Sequence, residues 1–352
     1  MKMPRVKFFS KILQSRLNAL HKPFKLTFVI TKECHSRCQN CLIWQVKPKG
    51  ELTLTEIELI AKKNRNFSWI HFIGGEPTDR ADFPEIVRAF AEYSRDLFAI
   101  NFPTNGLKPK RIFEQAKQIA ELKIPKFGVT VSIDGPPEVN DALRGIPKDF
   151  DKAVETLALL REIPGVESLA GMTLYPENSH LIEETIQAIR SKLPDFKPSS
   201  LHVNLPHVSE HYYGNDGKPP VPADELIKHL TELRAKRGFP KSSVELIDAL
   251  YLARSSEYLT SKRSPLPCSA LASSLYLSEI GEVFPCSIWN NPLGNIRDFD
   301  YSIDAILARE ETIQTRERIK TLDCPNCWTP CEAYQSLLAS ESVTNVIRGC
   351  LR

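Results

Sequence analysis

The chain has 352 residues, 42% of them hydrophobic and 25% charged, the proportions of an ordinary globular protein long enough for more than one domain. No run approaches the ~18 consecutive apolar residues of a membrane span, and Lys7, Lys11 and Arg16 interrupt the early apolar residues that a secretory signal would need. A net charge of +3 gives no sign of a nucleic-acid partner, and nine cysteines without an export signal point to metal or catalysis in a reducing, cytoplasmic setting.

Residues 1–24 contain no Asp or Glu, whereas Lys2, Arg5, Lys7, Lys11, Arg16 and Lys22 make them basic. Val6, Phe9, Leu13, Leu17 and Leu20 recur at helical spacing, which predicts a basic amphipathic helix over 5–20. Such a helix suits peripheral contact with a membrane surface or an acidic partner; packing of its apolar face on the domain that follows is the favoured reading.

From 25 to 207, short apolar runs at 26–31, 69–73, 98–103, 127–133, 167–174 and 200–205 read as strands, with helices between them at 53–65, 82–95, 109–121, 149–162 and 179–193. This alternation predicts an α/β fold of repeated β/α units on a parallel sheet, whose active site lies in the loops beyond the carboxyl ends of the strands. Residues 208–222 are rich in turn formers, and helical patterns at 223–236 and 243–259 complete a linking segment, 208–261. After Pro265 the texture changes to short strands, Gly and Pro turns and six of the nine cysteines, so 262–352 reads as a second, cysteine-rich domain.

The first strand leads into Cys34-His-Ser-Arg-Cys38-Gln-Asn-Cys41. Three thiolates on one short loop can hold three corners of a [4Fe–4S] cube and leave the fourth iron open to a substrate. A zinc loop, or three unconnected thiols, are the alternatives. Gly74-Gly75-Glu76-Pro77 ends the second strand; its glycines admit a close approach to the backbone, and Glu76 offers an acceptor for an amine, although a plain Gly-rich turn would read the same.

With these residues the chain resembles the radical S-adenosylmethionine (radical SAM) superfamily. Cys34, Cys38 and Cys41 match its cluster loop, Gly74–Pro77 is similar to its GGE-type motif, and Thr104-Asn105-Gly106 to its TNG. Val131-Ser132-Ile133-Asp134-Gly135, followed by Asn140 and Arg144-Gly145, resembles its S-x-D-G and R-G block. The departure is Asn40, where the family usually places an aromatic or apolar residue that often contacts adenine. The resemblance implies a partial (β/α)6 TIM-like barrel over 25–207, a [4Fe–4S] cluster with one open iron on Cys34, Cys38 and Cys41, and SAM chelating that iron. It implies that Gly74, Gly75, Glu76, Pro77 and Asn105 line the SAM site, with Glu76 accepting from the amine. Ser132 and Asp134 would meet the amino-acid or ribose portion, and Arg144 the carboxylate. The implied chemistry is reductive cleavage of SAM to a 5′-deoxyadenosyl radical that removes hydrogen from an unactivated C–H bond, driven by an external one-electron donor of flavodoxin or ferredoxin type.

The carboxy-terminal cysteines resemble the SPASM/twitch extension, which implies a small auxiliary-cluster domain. Cys268, Gly281-Glu-Val-Phe-Pro-Cys286, Cys324-Pro-Asn-Cys327, Cys331 and Cys350 supply six of the seven cysteines of a full SPASM pattern. One auxiliary [4Fe–4S] cluster on Cys268, Cys286, Cys324 and Cys327 is the economical reading. Cys331 is then spare, a substitute ligand or a group for proton transfer, and Cys350 inert. The alternatives are two incomplete clusters, Cys268/Cys286/Cys331 and Cys324/Cys327/Cys350, or a structural zinc ribbon. His202 and Asn204 share one strand face that could meet substrate or SAM; histidines satisfied at a loop edge, here His202, His207 and His211, are the other reading. About 25 residues precede the first strand, which leaves no fused peptide-recognition domain and favours a small-molecule substrate. A ribosomally made peptide, a lipid-linked substrate, and a non-catalytic iron–sulfur carrier or scaffold stand as alternatives.

Overall fold

The computed structural model describes residues 2–17, 20, 22–215 and 221–340. Six parallel strands, β1 (Lys25–Thr31), β2 (Trp69–Gly74), β3 (Ala99–Thr104), β4 (Lys126–Ser132), β5 (Val166–Thr173) and β6 (Leu201–Asn204), follow one another in sheet order as they do in sequence. Between them run α2 (Leu54–Lys63), α3 (Phe83–Tyr93), α4 (Pro109–Ala120), α5 (Pro137–Arg144), α6 (Asp149–Arg161) and α7 (Ile182–Arg190). This is the predicted partial barrel. The turn-like segment after β4 hides one short helix, α5, which begins on Pro137 and ends on the left-handed Gly145, two residue types placed where helices start and stop.

Strand period sorts the sheet into two faces. Leu26, Phe28 and Ile30 of β1 pack with Ile57, Ile60, Phe72 and Phe90 on the helix side. Val29 and Ile73 point the other way, into a second cluster with Ile43, Tyr212, Tyr276 and Phe284, against which Cys34 and Cys41 rest. Burial of β1 on both faces is why its sequence is a nearly continuous apolar run rather than an alternation.

The cysteine-rich segment joins the same sheet. β7 (Ser274–Leu277) pairs in parallel with β1, and β8 (Glu282–Phe284) and β9 (Gly294–Asn295) extend it antiparallel to nine strands. The boundary expected at 262 is therefore crossed by a shared sheet. α8 (Ala223–Arg237) and α9 (Ser243–Ser261) fill the linking segment, and α10 (Ile303–Leu307), α11 (Glu310–Lys320) and α12 (Pro330–Ser340) follow β9. Cys350 lies outside the described residues.

The amino-terminal helix, α1 (Lys2–Arg16), packs by residues that the periodicity did not select. Phe8 and Ile12 are buried with Phe24, and Leu20, Trp69, Phe98 and Leu338 lie against them. Of the predicted stripe, Val6, Phe9, Leu13 and Leu17 are exposed. The helix does pack on the domain, but mainly through another edge. Among the described residues, no helix is long and apolar enough to cross a membrane.

Candidate active site

The Cys34–Cys41 loop lies at the carboxyl end of β1 and is pinned on two sides by backbone. On one side the end of β2 closes on it: Gly75 N–H donates to Thr31 O at 2.8 Å and Glu76 N–H to Glu33 O at 2.7 Å. A Cβ on Gly75 would stand 2.1 Å from Glu33 O, and one on Gly74 2.2 Å from Thr31 O. The close approach these glycines permit is thus to the chain's own backbone. On the other side, Arg37 N–H donates to Arg144 O at 2.9 Å and Gln39 N–H to Leu143 O at 3.0 Å, so the carboxyl end of α5 anchors the loop. Gly145, with φ of +68°, leaves the room this requires, since a Cβ there would lie 2.5 Å from Arg37 O.

Glu76 is buried and heavily used. Its Oε1 accepts from Thr78 Oγ1 at 2.6 Å and Thr104 Oγ1 at 2.9 Å, and its Oε2 accepts from Asn105 N–H at 2.6 Å. It ties the GGE turn to the TNG turn, and Oε2 keeps one lone pair for a further donor. Pro77 opens the short helical turn behind it. Asn105 Nδ2 sits 3.9 Å from Cys34 Sγ. Asp134 and Arg144 face each other, with Arg144 Nη1 3.3 Å from Asp134 Oδ2, while Asp134 Oδ1 accepts from Thr173 N–H at 2.9 Å. Asp149 Oδ2 is 4.0 Å from Arg144 Nε, a buried donor without a hydrogen-bond partner. Ser132 ends β4, half-buried, on the face opposite Val131 and Ile133. Asn40 turns a buried, unpartnered Oδ1 inward.

These residues fit a cluster and its SAM. Burial pushes the thiol of Cys34 up to about 11 and that of Cys41 to about 12, and raises Cys38. Bound irons supply the positive charge that lets such thiols ionise, each binding a different iron. The orphaned Arg144 Nε and the spare lone pair of Glu76 are a donor and an acceptor suited to a carboxylate and an amine.

A second cysteine site lies in the carboxy-terminal segment. Cys268, Cys286, Cys324 and Cys327 line one cavity, together with Trp289 and Glu332. Burial pushes the thiols of Cys268 and Cys286 well up and that of Cys327 to about 12. Glu332 Oε1 is buried there without a partner. Among the described residues no three His, Cys, Asp or Glu side chains converge as a single metal ion requires.

Cys331 does not line that cavity. It begins α12 and turns into the barrel, its Sγ 3.9 Å from His71 Nδ1. The buried Lys25 ammonium donates to Cys331 O and, at 3.0 Å, to Gln335 Oε1. One rung of inward-facing residues crosses the barrel at this level: Tyr276, Thr27, His71 and Asn101 on β7, β1, β2 and β3. The hydroxyls of Thr27 and Tyr276 are buried without partners. Hydrophobic periodicity gives no hint of this polar rung, because its members are one per strand. His202 is held by Asp248 and Tyr334, each at 3.4 Å, on a strand where it registers with Gly171 and, through it, with Ser132.

A family model described as the radical SAM superfamily matches residues 28–189. Fe-coproporphyrin III synthase of Methanosarcina barkeri is 34% identical over 177 residues, 48% of this chain and 42% of that protein. Mycofactocin maturase MftC of Mycobacterium tuberculosis is 31% identical over 151 residues, 42% of this chain and 37% of that protein. The chain thus spans about two fifths of the length of these curated relatives. Among solved structures, native anSMEcpe with bound AdoMet superposes with a TM-score of 0.62 at 17% identity, over 93% of this chain and 96% of that one. Streptococcus suis SuiB bound to precursor peptide SuiA gives 0.59 at 15% identity, over 98% and 77%. The cysteine loop, the strand-end motifs that clasp it and the family match agree over the barrel: residues 28–189 of this chain match the radical SAM superfamily.

Proposed function

We propose that the protein is an enzyme that cleaves SAM reductively and removes hydrogen from an unactivated C–H bond, with an auxiliary iron–sulfur cluster beyond the substrate. The observation that carries this reading is the paired arrangement of a three-cysteine loop clasped by SAM-type motifs and a separate four-cysteine cavity. When bound, the first cluster supplies the electron that breaks the C5′–S bond of SAM, and the second can accept one from the substrate.

The chain's own residues set the stage. Glu76 would offer its free lone pair to the methionyl amine, and Arg144, paired with Asp134 through Nη1, would meet the carboxylate through Nε. The barrel interior carries a polar rung that offers hydroxyls, an imidazole and an amide to a polar substrate. His71 is kept neutral by burial, held down to about 3, and so serves as an acceptor. Cys331 has its thiol raised by burial and stands as a neutral thiol.

The substrate reading is a small polar molecule that enters the barrel. A second reading, modification of a peptide side chain, is favoured by the likeness to a mycofactocin maturase and to a fold solved with a precursor peptide. The test is anaerobic incubation of the reconstituted, reduced protein with SAM. Formation of 5′-deoxyadenosine and methionine is expected, and its abolition in Cys34→Ala. A protein whose cluster is reduced in the presence of SAM yet yields no 5′-deoxyadenosine would be a carrier or scaffold instead.

A further inference from the structure

Residues 207–215, between β6 and α8, touch both cysteine sites. At one end, Leu42 N–H donates to Tyr213 O at 2.8 Å and Asn215 Nδ2 to Asn40 O at 3.1 Å, on either side of Cys41. At the other, Ser209 Oγ donates to Ser287 O at 2.6 Å and His211 Nε2 lies 3.2 Å from Cys286 O. Trp328 N–H, next to Cys327, donates to His207 Nε2 at 3.0 Å. Five hydrogen bonds from nine residues therefore end on groups at or adjacent to Cys41, Cys286 and Cys327.

The two histidines do this in opposite tautomers, as their partners require. His207 gives its Nδ1 proton to Leu205 O at 2.9 Å, which leaves Nε2 as the acceptor for Trp328. His211 gives its Nε2 proton to Cys286 O and keeps a bare, buried Nδ1. Their rings are clamped as well, His211 stacked on Phe284 at 4.3 Å and His207 on Tyr258 at 5.6 Å. The segment closes on itself through Gly214 N–H to Ser209 O at 2.9 Å and Ser209 N–H to Asn215 Oδ1 at 2.9 Å, with Gly214 in the left-handed region. Tyr212 and Tyr213 fill the space between the two anchored ends.

We propose that residues 207–215 are a strap that fixes the auxiliary cysteine loops relative to the SAM-binding loop, with His207 and His211 as its positioning residues. This rests on the reading that Cys268, Cys286, Cys324 and Cys327 hold a cluster. Hydrogen bonds beside ligands orient them and tune the bound group, and here the same element also holds the loop that carries Cys41.

The experiment uses His207→Ala, His211→Ala and Asn215→Ala, each with glutamine as its conservative partner, in reconstituted full-length protein. Iron content, the electron paramagnetic resonance spectrum of the reduced auxiliary cluster in a Cys34→Ala/Cys38→Ala/Cys41→Ala background, and SAM affinity with the triplet intact are measured. The histidine variants are expected to shift the auxiliary spectrum or selectively lose its irons, and to weaken SAM binding roughly three- to tenfold, as loss of about one hydrogen bond allows. Asn215→Ala, at the other end, is expected to weaken SAM binding similarly. Rescue by Gln, whose amide can both donate and accept, supports positioning over bulk. Unchanged auxiliary spectra and unchanged SAM affinity in all three alanine variants would overturn the strap. Wild-type protein with only about four irons would instead overturn the auxiliary cluster itself, a separate result.

Discussion

Gly75 and Glu76 do different jobs within one turn. Gly75 has no room for a side chain, because a Cβ would meet Glu33 O at 2.1 Å, so Gly75→Ala must push the cysteine loop off the end of β2. We expect that variant to lose most of its triplet-bound iron while keeping the auxiliary iron, measured by iron content with and without Cys324→Ala/Cys327→Ala. Glu76 is bound by donors alone, and Glu76→Gln would set an NH₂ against one of them. The expected cost is about 1–3 kcal/mol of stability, read by chemical denaturation, together with weakened SAM binding. Cys331→Ser should keep about eight irons, since its thiol lies outside the four-cysteine cavity; a drop to about four would return Cys331 to the ligand set. The motif residues were legible in the sequence because their types are dictated by local needs. Arg144-Gly145 was legible as a motif but not as part of a loop anchor, since Arg37, which donates to Arg144 O, and Gln39, which donates to Leu143 O, lie about a hundred residues upstream. Lys25 was not legible at all: a lysine at a strand's start reads as exposed, but Cys331 O and Gln335 Oε1, three hundred residues on, accept from it and the Trp69 ring lies 4.4 Å from its ammonium.

At the scale of elements, the barrel's helix side is a run of edge-to-face phenylalanines. Phe72 meets Phe83 at 5.6 Å and Phe90 at 5.9 Å, all three fully buried between β2 and α3. Phe72→Ala should cost about 3–5 kcal/mol in chemical denaturation, the transfer and cavity terms together, with no direct change at the inward-facing rung. Apart from α5, strand and helix positions in this half followed from period alone, because each β/α unit satisfies its own pattern locally. The four-residue β7 did not, since its pairing with β1 depends on residues about 250 positions apart in the chain. The amino-terminal helix shows the limit of periodicity in another way. Two apolar edges run along α1, and the sequence does not say which of them, Phe8–Ile12 or Val6–Phe9–Leu13, meets the barrel.

Across the whole molecule, burial keeps four imidazoles neutral. It lowers His71 to about 3, His207 and His211 to about 4, and His202 in direction. Each folded value lies below the unfolded 6.5, so the unfolded chain takes up protons first as pH falls. The stability these groups contribute is fully present above pH 6.5 and is lost as pH falls from 6.5 toward 4, at up to about 1.4 kcal/mol per pH unit for each. Urea denaturation at pH 7.5 and 5.5 should show that loss, and His71→Gln should show a smaller one. The same molecule carries two cysteine sites, one on the loop after β1 and one around Cys268, Cys286, Cys324 and Cys327, and that pairing is the core of the functional account. The most direct test is the iron content and SAM response of the reconstituted Cys34→Ala/Cys38→Ala/Cys41→Ala protein. The account predicts about four irons, a reducible cluster, and a spectrum that SAM leaves unchanged. Loss of all iron, or a spectrum that still shifts with SAM, would contradict two separate cluster sites.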